Sequence, residues 1–195
     1  MEFIRNLAKV HDLRVVVKRL DEGLRAYLMD GVVYLEESLS QERMNFAFCH
    51  ELAHHLLDHH NHQVLSDEME REANERAADL LLPPETFRQD AMTYPLDHLK
   101  EHYPQASWEV IARSKLRLVP AILTILDNGQ RTLHIAPDDY QFPYNLLPIE
   151  EEVFRRCMET RGHVSSEGIS VQTHGYFVDT GEGVVRVILW TEIDE

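Results

Sequence analysis

An α+β fold follows from three features of this 195-residue sequence. Apolar residues with helical spacing run through Phe46, Cys49, Leu52, Ala53, Leu56 and Leu57 and carry the string His50-Glu51-Leu52-Ala53-His54. Short β-branched runs before it meet at Asp30-Gly31, and others far beyond it meet at Asn128-Gly129; Asp-Gly and Asn-Gly between such runs are strong hairpin signals. At Pro120 the pattern changes from helices to strands. Two segments are therefore expected: 1–119, built around the His-Glu-x-x-His helix, and 120–195, a small α+β unit.

Composition narrows the classes. A hydrophobic content of 44% is ordinary for a globular chain, and the formal net charge of −15 leaves no excess of Lys and Arg to neutralise phosphates. Broad nucleic-acid or anionic-membrane binding is not expected. The two cysteines, Cys49 and Cys157, suggest no disulfide framework, and a cytoplasmic setting fits. Met1 to Asn6 contain no apolar core of a signal peptide, and no apolar run is long enough to span a membrane.

In order, residues 2–11 read as a helix through Phe3, Ile4, Leu7 and Val10. Leu13–Leu20, Leu24–Met29 and Val32–Leu35 read as strands of a small antiparallel sheet, which could offer an edge to an extended peptide or only cover the next helix. Ser38 or Ser40 caps that helix, Ser38 with Gln41 matching a capping box. It should run to about Asp58. His59-His60-Asn61-His62 follow as a polar exit, read as a solvated helix end suited to the dipole or as donors for a second metal. A second helix starts near Ser66 and ends at Pro83-Pro84.

Glu85–Met92, Leu96–Tyr103 and Ser107–Leu118 read as three shorter helices. The last two resemble a helix–turn–helix, but their basic residues are few, and packing is the expected role. Ala121–Leu126 and Thr132–Ile135 form a hairpin, Asp138–Pro148 a loop, and Ile149–Arg161 a helix with Val153, Phe154, Cys157 and Met158 on one face. Ile169–Val178 and Val184–Trp190 form a last hairpin around Thr180-Gly181-Glu182-Gly183. This segment carries no catalytic motif. Its His134, His163 and His174 are candidates to approach the site, or structural.

The chemistry lies in the first helix. Residues four apart share a helix face, so His50 and His54 can point at one ion. Glu51, offset by about 100°, can serve as general base without being a ligand. His55 points away from the pair. Two His ligands need a third, and glutamates on the second helix are the natural supply.

His50-Glu51-x-x-His54, followed by Glu70-x-x-Ala73-Asn74-x-x-Ala77-x-x-Leu80-Leu81-x-Pro83, resembles the ImmA/IrrE family of metallopeptidases over about residues 10–90. One departure is Arg76, where the family more often has an aromatic residue. The resemblance implies a zincin-like, minimal gluzincin core with the small sheet packed on two metal-ligand helices. It implies His50, His54 and Glu70 as ligands of Zn2+ or Mn2+, and Asn74 as a group orienting a ligand. Glu72 and Glu75 stay open as competing third ligands. The implied activity is hydrolysis of a peptide bond with Glu51 as general base. The implied setting is stress response, and the implied partner is one regulatory protein such as a transcriptional repressor or antitoxin. Tyr34 and His174 are weak candidates for a second electrophile. A different class remains: a metal-containing interaction module without turnover.

Overall fold

A computed structural model describes residues 1–59, 66–137, 145–181 and 183–193. His60, Asn61 and His62, most of the loop expected over 138–148, and Glu182 lie outside the described residues. Among the described residues the fold is α+β, with seven helices and two sheets. The chain forms two compact units, Met1–Ile111 and Ala112–Glu195.

The first unit opens with α1 (Glu2–Val10), then β1 (Arg14–Lys18), β2 (Ala26–Met29) and β3 (Val32–Glu36). Asp30 and Gly31 both have positive φ, 49° and 71°, the conformation that a two-residue type I′ hairpin demands. β2 and β3 pair antiparallel, with Tyr27 opposite Tyr34 and their rings stacked at 4.7 Å. The sheet is not wholly antiparallel as expected: β1 runs parallel to β3, and the order is β1-β3-β2. The Asp-Gly turn dictates only the second pairing. Residues 19–25 carry the chain across, so β1 joins the other side of β3. Glu36 anchors that crossing, accepting from the N–H groups of Leu20 at 2.6 Å and Ser38 at 3.0 Å, which hold its carboxyl below the usual range.

The next element is α2 (Gln41–Leu56), capped by Ser40 rather than Ser38. It buries Phe48, Cys49, Leu52 and Ala53 completely. Leu56 and Leu57, expected to add apolar packing surface, are exposed where the helix ends. β2 and β3 pack on α2. α3 (Asp67–Leu81), capped by Ser66, lies against α2, so the sheet covers the His-Glu-x-x-His helix and the second helix packs on the first. α4 (Pro84–Thr93), α5 (Leu96–His102) and α6 (Trp108–Leu116) follow as expected within a residue or two. Lys100 on α5 is spent on packing: its ammonium donates to Glu42 and to the carbonyls of Pro104 and Ala106.

The second unit is an antiparallel sheet of β4 (Ile122–Asp127), β5 (Gln130–Ile135), β6 (Val164–Glu167), β7 (Val171–Asp179) and β8 (Val185–Ile193). Its order is β5-β4-β8-β7-β6, with α7 (Pro148–Thr160) packed on β6, β7 and β8. β6 was not expected. Its sequence, Val-Ser-Ser-Glu, has no apolar alternation because it forms a short edge. The core joins Val153 and Cys157 of α7 to Leu126, Val164, Val187 and Leu189, while Met158 is exposed. Buried Glu150 is fully engaged, accepting from the Leu147 N–H at 2.9 Å and the Thr191 hydroxyl at 3.1 Å.

Both cysteines are free and buried, and burial pushes their thiols up, to about 12 for Cys49 and about 11 for Cys157. Among the described residues no helix is long and apolar enough to cross a membrane.

Helix α7 approaches β7 over Gly175, where a Cβ would stand 2.6 Å from both Cys157 Sγ and Val153 Cγ1. Gly175→Ala is expected to destabilise the chain by roughly 1–3 kcal/mol, the usual range for overpacking, in urea denaturation. Pairing it with Cys157→Ala should recover part of the loss.

Candidate metal centre

The centre is built by α2 and α3. Glu70, Ala73, Asn74 and Ala77 share one face of α3, being three, four and seven residues apart. Ala73 and Ala77 are completely buried. Such small residues let the helices approach closely, and the polar side chains one turn away meet across the seam.

Three donor groups converge there. His50 Nε2 and His54 Nε2 are 3.1 Å apart. One oxygen of Glu70 lies 3.4 Å from His50 Nε2 and the other 3.4 Å from His54 Nε2. Among the described residues, His50, His54 and Glu70 are the one group of His, Cys, Asp and Glu side chains whose donor atoms could hold an ion.

The donors fit a divalent cation. Bonds of about 2.0–2.1 Å in a tetrahedron place ligand atoms about 3.3–3.4 Å apart, and the observed separations bracket that value. The proton positions agree. His50 Nδ1 stands 3.1 Å from Asn74 Oδ1, an acceptor, so that nitrogen carries the proton and Nε2 presents a lone pair. With the same tautomer at His54, two lone pairs and a carboxylate would form a cradle for a cation.

The three acidic candidates separate cleanly. Glu70 stands at both imidazoles. Glu72 faces His59 instead, at 3.4 Å. Glu75 is exposed and pairs with Arg71 at 3.0 Å. Arg76 is exposed.

Glu51 is partly buried beside this cradle, near the backbone N–H of Leu28 in β2. Burial pushes its carboxyl up to about 7, with the nearby Glu70 carboxylate adding to the rise and the Leu28 N–H opposing it. That value describes the metal-free protein; a cation in the cradle pulls it back down.

The other candidates have contacts of their own. Tyr34 is engaged with Tyr27 and with the Lys18 ammonium, 4.3 Å above its ring. In the second unit, His134 pairs with the Thr124 hydroxyl at 2.9 Å, and His163 faces His174 at 3.4 Å.

His59 departs from the solvated helix end or second metal site that its sequence implies. It is only 4% exposed, not a solvated helix end, and its Nδ1 lies 3.0 Å from His54 Nδ1. Asp58, with a φ of 59°, turns the chain back after α2, and no sequence pattern marks that turn.

A helix pair presenting two histidines and a glutamate in this way fits a zincin-like core. The chain belongs to the Peptidase_M78 family: the family model, described as the IrrE N-terminal-like domain, matches residues 8–114. The fold is similar to a solved structure of a Mycobacterium tuberculosis transcriptional regulator, with a TM-score of 0.66 and 16% sequence identity over 98% of this chain and 70% of that one. At that identity the likeness concerns the fold alone. No curated protein matches the chain.

Elemental analysis of the purified protein should find one equivalent of zinc or manganese, lost in His54→Ala and in Glu70→Ala and retained in Glu75→Gln. Metal retained in Glu70→Ala would remove that residue from the ligand set. Asn74→Ala is expected to weaken metal affinity about 10- to 100-fold, the usual cost of losing a group that orients a ligand.

Proposed function

We propose that the protein is a metal-dependent peptidase in which His50, His54 and Glu70 hold the ion and Glu51 is the general base. The observation that carries the reading is the convergence of the three donor groups at 3.1–3.4 Å with a partly buried carboxylate beside them. A divalent ion bound there supplies a Lewis acid that polarises a peptide carbonyl and eases the deprotonation of water. Glu51 takes the proton of the attacking water and delivers it to the leaving amine. Asn74 keeps the His50 proton on Nδ1, and so keeps Nε2 free for the ion. β2, an edge of the small sheet, borders Glu51 through Leu28 and is the place for an extended peptide to align.

The substrate class we infer is a folded or partly folded regulatory protein, such as a transcriptional repressor or antitoxin. Zinc is the favoured ion, with manganese compatible with the same nitrogen and oxygen donors. A cytoplasmic setting suits the two buried free thiols. Direct nucleic-acid binding by α5 and α6 is disfavoured by the net charge and by the engagement of Lys100. The second reading is a metal-containing regulatory module without turnover. That reading would accord with the similar solved structure, which is of a transcriptional regulator.

The test is digestion of a proteome-derived peptide library by the zinc-loaded protein, read by mass spectrometry. Wild type should cleave, and Glu51→Gln should keep its metal while losing about 10²- to 10⁴-fold in rate. Equal cleavage by both would remove Glu51 as the base. Full metal occupancy with no cleavage by wild type would favour the regulatory module.

A further inference from the structure

We propose that His59 and Glu72 are positioning residues that fix His54 from behind, forming a carboxylate–imidazole–imidazole chain directed at the metal cradle. The inference rests on the reading of His50, His54 and Glu70 as that cradle.

The chain of contacts is continuous. Glu72 Oε2 lies 3.4 Å from His59 Nε2, and His59 Nδ1 lies 3.0 Å from His54 Nδ1. The two rings are inclined at 65°, edge to face, with centroids 5.1 Å apart. His54 and His59 are both nearly fully buried, so the contact is shielded from water. The protons can be placed by elimination. For His54 to offer a lone pair at Nε2, its Nδ1 must carry the proton. His59 Nδ1 must then accept, which leaves the His59 proton on Nε2, facing the carboxylate of Glu72. Each group selects the tautomer of the next, and the carboxylate of Glu72, at the end of the chain, sets the direction.

Geometry also explains why this residue does the work. On a continuing helix, a residue five positions after His54 would lie about 140° around the axis and could not meet its ring. α2 stops at Leu56, and Asp58 takes a left-handed conformation with φ 59°, which returns His59 beneath His54. His50 is served separately by Asn74. The two imidazoles of the motif thus have different supports, an amide on α3 for His50 and a histidine–carboxylate pair for His54.

The test uses the full chain, stripped of metal by chelation. Zinc affinity is measured by competition with a chromophoric chelator, and cobalt(II) absorption reports the geometry of the site. His59→Leu should lower zinc affinity about 10- to 100-fold and change the cobalt spectrum. His59→Gln, which can accept from His54 and donate to Glu72, should restore most of the affinity. Glu72→Ala should weaken zinc binding in the wild-type background but add nothing in His59→Leu, whereas Glu75→Gln should change nothing. Thermal denaturation of the metal-free variants separates loss of fold from loss of positioning. Should His59→Leu misfold, the exposed Glu72→Ala carries the same expectation. Zinc bound equally by wild type, His59→Leu and Glu72→Ala, with one cobalt spectrum, would overturn this inference alone. Failure of the wild type to bind zinc or cobalt would overturn the cradle reading and this inference with it.

Discussion

The close packing of α3 on α2 is the constraint on which the site depends. A donor triangle of 3.1–3.4 Å drawn from two helices requires that their axes come near one another. Alanines at 73 and 77 permit it, since a methyl group fills the seam without prising the helices apart. Two imidazole nitrogens and a carboxylate are thereby brought together at 3.1–3.4 Å, and the packing of the helices is what holds them in register. Folding of α2 against the sheet and α3 against α2 therefore precedes, in the energetic sense, any chemistry at their junction.

Outside the triangle, the surroundings are arranged to leave the donor nitrogens bare. Asn74 offers an oxygen to His50, and burial keeps Cys49, the immediate neighbour of His50, as an un-ionised thiol. The thiol packs as a small apolar group and contributes no competing soft ligand.

Much of this was legible in the amino acids. The four-residue spacing of His50 and His54 places them on one helix face, and the Glu70-Ala73-Asn74-Ala77 pattern places an acid, an amide and two small residues on one face of the next. Both are local properties of a helix. Glu70 could not be separated from Glu72 by spacing alone, because that depends on which face of α3 meets α2. At His59 the sequence implies a solvated helix end or a second metal site, because periodicity stops where the helix stops; the backward turn at Asp58 is a single left-handed residue with an ordinary sequence. The parallel pairing of β1 was missed for a related reason. A hairpin turn announces the pairing of its own two strands, whereas a crossover through 19–25 announces nothing. β6 escaped because an edge strand buries little and needs no apolar alternation.

An open strand edge is a template for unwanted self-association, because its row of amide groups will accept almost any extended chain. Here the carboxylate of Glu51 lies near the N–H of Leu28. A segment that docks along β2 must displace that carboxylate before its ladder is complete. The edge is thereby guarded by an acidic side chain, and strand addition becomes a competition with a charged group in place of a spontaneous zippering.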